Sequence, residues 1–147
     1  MKKIVLDASV LVDAFQPRSP NHVPARALLK ILVERKIVCV MPMHGLFEIG
    51  ATMRRRASEI DWKGMQSVAT ESNALHMESV PIDEDFVTAH PQEGMPALRA
   101  GDLIYFVVAL VRGIPIVTHD KEIKTASIAH SVDCYSAEEA LRLFGTA

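Results

Sequence analysis

The stretch KKIVLDASVLVD, residues 2–13, decides how the rest of the chain is read. Ile4, Val5 and Leu6 form a short apolar run rich in β-branched residues, which suits a strand buried on both faces of a sheet. A carboxylate, Asp7, follows at once, then the small residues Ala8 and Ser9; apolar character resumes over residues 10–12 and ends at a second acid, Asp13. An open α/β sheet collects its chemistry at the C-terminal tips of its strands, where Asp7 would stand. The same position suits a helix N-cap, a role that Asp7 or Ser9 can fill with a side-chain oxygen. The stretch by itself leaves both roles open.

Working outward, a chain of 147 residues has length for one hydrophobic core, and a single domain over residues 1–147 is expected. Nearly half the chain is apolar, which excludes a disordered protein. A formal net charge of -2 argues against binding nucleic acid through bulk charge, but leaves room for a local basic groove beside an acidic site. Cys39 and Cys134 lie in apolar, strand-like segments and read as reduced core thiols. The strongest apolar run, residues 103–111, is too short to span a bilayer, so a cytoplasmic protein with no membrane partner is expected.

Pro17 and Pro20 place a loop over residues 16–21, between a short helix at 9–15 and a longer one at 23–36. Residues 37–41 form a second buried strand, stopped at Pro42. The helix expected at 43–57 sets Glu48 among Leu46, Phe47 and Ile49, and ends in Arg54, Arg55 and Arg56. That basic end is explained either by the helix dipole or by a role in holding phosphates. Glu48, if buried, must be paired, protonated or bound to metal, while an ordinary exposed glutamate is the alternative. A further helix is expected at 58–72, with Lys63 on its flank and Trp62 packed in the core or an interface in preference to stacking on a base. An edge strand at 76–82, a helix capped by Asp83 and a loop holding Pro91, Gly94 and Pro96 come next. The nearly all-apolar helix at 102–111 starts with Asp102, for which N-cap is the plain explanation. A strand at 114–118 then runs into Thr118 and Asp120, repeating the opening arrangement, and Asp120 can cap a helix at 121–129. A short strand at 132–135 and a helix at 137–144, introduced by a Ser136/Glu139 capping box, complete the chain.

Alternating strands and crossover helices predict a three-layer α/β/α sandwich around a mostly parallel sheet of about five strands. Right-handed crossovers carry every strand's C-terminal end to one rim. Asp7 and Asp120 follow such ends, Asp102 starts a helix at the same rim, and Glu48 lies about a turn and a half into the helix after the second strand, so four acids far apart in sequence have a topological reason to meet. Clustered carboxylates repel one another, and a divalent cation removes the conflict. Oxygen ligands, with no cysteine and no spaced histidine pair among them, suit Mg²⁺ or Mn²⁺ better than zinc. With a phosphodiester as substrate, such an ion would neutralise a nonbridging oxygen and activate a water, giving hydrolysis without a covalent enzyme intermediate. His44, His90 and His119 have no zinc-site spacing; His119 is kept as a substrate or water contact against a plain surface histidine.

The segments IVLDASVLVDAF, HGLFEIGATMRRR and AGDLIYFVVALVRGIPIVTHDKEI, in that order and separation, resemble the PIN domain family, and within it the prokaryotic VapC-like toxins. The resemblance runs from Lys2 to about Tyr135. It implies a Mg²⁺- or Mn²⁺-dependent ribonuclease acting on single-stranded or looped RNA. Asp7, Glu48, Asp102 and Asp120 take the family's acidic positions, and Ser9 and Thr118 its supporting hydroxyls. Glu48 then either binds the metal directly or holds a water beside it. The resemblance further implies a homodimer and a small antitoxin that lays a helix and a basic tail across the site. Arg54, Arg55 and Lys63 are candidates for RNA backbone contact. Two features depart from the family pattern, His119 between Thr118 and Asp120 and the segment at 91–101; Asp13 is either a secondary acid beside the site or, as expected first, an acid with a solvent role. A non-catalytic RNA- or protein-binding module on the same fold is the alternative. A phosphatase is disfavoured because Asp7 is followed by Ala8 and Ser9, with no Asp-x-Asp pair.

Overall fold

Strand β1 (Lys3–Leu6) lies at the centre of a five-stranded sheet. The computed structural model describes residues 2–70, 74–91 and 93–146, without the side chains of 67–70. In chain order the helices α1 (Ala8–Ala14) and α2 (His22–Glu34) lead to β2 (Val38–Pro42), then α3 (Met43–Arg55), a 3₁₀ turn (Ala57–Glu59) and α4 (Trp62–Thr70). Strand β3 (Met77–Val80), α5 (Glu84–Ala89), α6 (Ala100–Arg112), β4 (Ile116–Val117), α7 (Lys121–Ala129), β5 (Cys134–Tyr135) and α8 (Ala137–Gly145) follow. The strand order is β3-β2-β1-β4-β5, and every pairing is parallel.

That order makes the sheet double back once. The chain steps outward from β1 to β3, then returns to lay β4 on the other side of β1, so the crevice between β1 and β4 is the topological switch point. Right-handed crossovers put α1 to α4 on one face of the sheet and α6 with α7 on the other. Helix α2 packs on α1 and α8, and α6 lies against β1, β2 and β4. Ile4, Val5 and Leu6 are fully buried between the layers, as are Tyr105 and Phe106 of α6.

Most expected elements are present, with shifts that have local causes. Strand β3 is at the edge, as its weak alternation predicts, with two of its four residues exposed. The helix expected at 58–72 is instead a 3₁₀ turn followed by α4, because Asp61 accepts the Gly64 N–H through Oδ1 (3.0 Å) and starts the helix there; residues 71–73 lie outside the described part. Trp62 is 40% exposed and its indole N–H donates to the Ala57 carbonyl (2.8 Å). Helix α6 starts at Ala100 with Arg99 in the capping position, so Asp102 is not the N-cap expected of it but a residue inside the first turn. Asp83 caps α5 and Ser136 with Glu139 forms the capping box of α8. Cys39 and Cys134 are both free thiols, the first buried and the second half-buried. No helix among the described residues is long and apolar enough to cross a membrane.

Helix α6 ends at Gly113, whose φ of 61° lets the Ile114 N–H turn back to the Ala109 carbonyl (3.2 Å). An L side chain is strained in that left-handed conformation. Gly113→Ala is expected to cost about 1 kcal/mol of stability, read as a lower urea midpoint with an unchanged slope.

Candidate active site

The end of β1 builds the first part of the site. The Asp7 N–H donates to the Val117 carbonyl (3.0 Å), so its position is set by pairing with β4. Its carboxylate is buried, and Oδ2 accepts two hydroxyls, from Thr118 (2.6 Å) and Ser9 (2.9 Å). Each hydroxyl is itself pinned by the loop after β4, since Asp120 N–H donates to Thr118 Oγ1 (2.9 Å) and His119 N–H to Ser9 Oγ (3.2 Å). Among the described residues, Asp7 Oδ1 accepts only a long bond from the Ser9 N–H (3.5 Å), a weak helix cap. The cap and the site role therefore belong to different oxygens of one side chain. Burial pushes the Asp7 carboxyl above its ordinary range against those hydroxyl bonds, and the charge of Glu48 adds to the rise.

Asp120 also does both. Its Oδ1 caps α7 by accepting from Glu122 N–H (2.8 Å) and Ile123 N–H (3.0 Å). At the same time one oxygen each of Asp102, Asp120 and Glu122 lie within 4.8 Å of one another. Asp102 enters from the first turn of α6, with Oδ2 buried and, among the described residues, without a hydrogen bond, although Arg99 Nε stands 3.4 Å away. Burial raises the Asp102 carboxyl pKa, and the charges of Asp120 and Glu48 raise it further against the pull of Arg99. Glu48, from α3, accepts a hydrogen bond from the Tyr105 hydroxyl at Oε2 (3.0 Å), and its Oε1 lies 3.6 Å from His44 Nε2. The four predicted acids thus line one cleft of about 830 Å³, together with Ser9 and the arginines 55, 56 and 99.

The predicted cation contacts divide. Arg55 is on the cleft wall, whereas Arg54 and Lys63 are exposed and stand outside its lining. Arg99, on the cleft rim, was not singled out by the sequence; its only signal was a cation three residues before Asp102. Glu122 carries no signal in the sequence, because a glutamate in a helix's first turn is ordinary. His119 is not a surface histidine: its side chain is 9% exposed, Nδ1 faces the Asp13 carboxylate and Nε2 accepts the Ala137 N–H (3.4 Å). Both ring nitrogens are thus engaged within the protein. Asp13 likewise lacks the solvent role expected of it, because it also accepts from Ser19 Oγ (2.7 Å) and Asn21 Nδ2 (3.4 Å). Burial would raise its pKa, but those bonds and His119 bring it below the ordinary carboxylate range.

The donor set fits a hard divalent cation. It is all oxygen, it contains a buried carboxylate oxygen with no hydrogen bond among the described residues, and the charges of Asp120 and Glu48 add to the rise of the Asp102 pKa, a conflict that a bound cation relieves.

Known proteins place the chain in context. The PIN domain model matches residues 4–128. The fold is similar to that of a PilT N-terminus domain protein, SSO1118 from Sulfolobus solfataricus P2, at 14% identity and a TM-score of 0.55, covering 99% of this chain and 95% of that one. It is also similar to PAE2754 from Pyrobaculum aerophilum, at 18% identity and a TM-score of 0.65, covering 99% and 91%. No curated protein matches the chain. With the parallel sheet, the acid-lined switch point and a family match over most of its length, the chain belongs to the PIN domain family, a family of nucleases that typically use divalent metals.

Proposed function

We propose that this chain is a Mg²⁺- or Mn²⁺-dependent endoribonuclease that hydrolyses phosphodiester bonds of single-stranded or looped RNA, and that it is the toxin of a toxin–antitoxin pair. The observation that carries the nuclease reading is the meeting of Asp7, Glu48, Asp102 and Asp120, from four different elements, in a cleft with an arginine wall. Asp102 and Asp120 would hold the cation with Asp7 and Glu48, and Glu122 is close enough to join them. Such an ion supplies neutralisation of the scissile phosphate and a lowered pKa for the attacking water.

The chain's own residues do the rest. Thr118 and Ser9 occupy one oxygen of Asp7 and keep the carboxylate from rotating. Arg55 and Arg99, both exposed at the rim, suit the flanking RNA phosphates, where each would position the strand without reading its sequence. The acid-rich cleft suits competition by an antitoxin's basic tail. Support for a homodimer comes from α3, where Met43, Leu46 and Phe47 are exposed, Phe47 at 81%.

Three outcomes test these readings. Asp7→Asn and Asp102→Asn are each expected to lower metal-dependent cleavage of unstructured RNA by about a hundredfold or more with unchanged circular dichroism; full cleavage by either variant would overturn the nuclease assignment. The pH dependence follows from the raised pKa values of Asp7 and Asp102. Their contribution to stability is present in full below the unfolded-state pKa and is lost as pH rises through the folded-state value, so the metal-free protein gains from protonating them. Protons and cation thus compete, and Mn²⁺ affinity measured by calorimetry should weaken as pH falls toward the raised pKa values, more steeply than ordinary carboxylates would give. For self-association, Phe47→Glu should convert a dimer to a monomer by light scattering; a wild-type chain that is already monomeric refutes the dimer.

A further inference from the structure

Tyr105 is fully buried in a helix whose neighbouring residues Phe106, Val107 and Val108 are also buried and apolar. A phenylalanine would meet the packing needs of that position, yet the chain carries a hydroxyl there, and both of its partners are at the site. The Ala8 N–H, one of the unpaired donors at the start of α1, donates to the Tyr105 oxygen (3.3 Å). The hydroxyl's single proton is then directed to Glu48 Oε2 (3.0 Å).

Two glycines make this contact sterically feasible. A Cβ at Gly45 would stand 2.4 Å from the Tyr105 hydroxyl, and one at Gly101 would stand 2.8 Å from Glu48 Oε1. His44 closes the remaining side, with Nε2 donating to the Gly101 carbonyl (3.1 Å) and its ring packed 5.0 Å from that of Tyr105. Glu48, whose side chain is still 39% exposed, is thus held on two sides: a hydroxyl binds one oxygen, and α6 at Gly101 lies against the other.

We propose that Tyr105 is a positioning residue that locks the Glu48 carboxylate in its cation-binding orientation and ties it to the start of α1, directly beside Asp7. This rests on reading the cleft as a divalent-cation site. Without the hydroxyl, Glu48 sits on a helix face with freedom to turn toward solvent, and the Ala8 N–H loses its acceptor.

The test is calorimetric titration of the full chain with Mn²⁺, in the absence of RNA, for the wild type, Tyr105→Phe, Glu48→Gln and the double variant, with thermal unfolding followed in parallel. Tyr105→Phe is expected to weaken Mn²⁺ binding by about tenfold, the range typical of partners that orient a ligand. In the Glu48→Gln background it should add nothing, because the group it orients is gone. Gly101→Ala, which leaves Tyr105 in place but crowds Glu48, should reproduce the weakening and decides the matter if Tyr105→Phe does not fold. A folded Tyr105→Phe with wild-type affinity, losses that multiply in the double variant, or an unaffected Gly101→Ala would overturn the positioning role while leaving the cation site intact. Failure of the wild type to bind Mn²⁺, or a Glu48→Gln variant that binds as tightly as wild type, would instead overturn the reading of the cleft, and the role of Tyr105 with it.

Discussion

The parallel pairing of β1 with β4 is the constraint on which the rest depends. The Val5 N–H reaches the Pro115 carbonyl (2.8 Å) and the Asp7 N–H the Val117 carbonyl (3.0 Å), which brings the two strand ends level. Only in that register does Thr118 lie within a hydrogen bond of Asp7, 111 residues away in sequence. The sheet doubles back at this seam, so helices diverge from it on both faces and leave a crevice open. A shift of one residue along the ladder would turn Thr118 away and leave the Asp7 carboxylate buried without its hydroxyls, a costly state for a charged group.

The electrostatics of the cleft follow from that geometry. Asp7 is nearly inaccessible and Asp102 has a buried, unbonded oxygen, while Asp120 and Glu48 face them from neighbouring helices. The protein offsets the repulsion only in part, with hydroxyl bonds to Asp7 and the nearby guanidinium of Arg99. Carboxyl groups held above their ordinary pKa in one place indicate strain that a cation would relieve. His119 and Asp13, by contrast, pair with each other and tie α1 to the β4 loop and to the start of α8 through Ala137. That network braces the wall of the cleft; its polar groups are spent on one another.

What was legible in the sequence were features carried by local pattern. The apolar run of β1, the nearly all-apolar helix α6 and the capping box of α8 each depend on residues within a few positions of one another, and each is present; Pro42, expected to stop β2, is instead its last residue. The four acids were legible for a related reason: Asp7 and Asp120 follow strand ends, Glu48 and Asp102 lie in the early turns of helices, and parallel topology sends strand ends and helix starts to one rim. Helix boundaries were less so: Asp102 reads as a cap until Arg99 takes that position and moves the acid into the first turn.

Tertiary structure decided the remainder. Whether Asp13 meets solvent, whether His119 offers a nitrogen to a ligand, which arginine stands on the cleft wall and which of Asp7's oxygens is taken are settled by atoms from distant elements. Tyr105 is the clearest case, because nothing near it in sequence distinguishes a core phenol from a core phenyl ring. Its hydroxyl gains meaning only when Ala8, Glu48 and the two glycines that admit them converge on it. The sequence by itself determined the elements, their order and the rim where the acids collect, because these follow from short-range periodicity and the handedness of the chain. The partners of each polar atom were decided by the fold alone, because a hydrogen bond is specified within tenths of an ångström and no local pattern carries that information across a hundred residues.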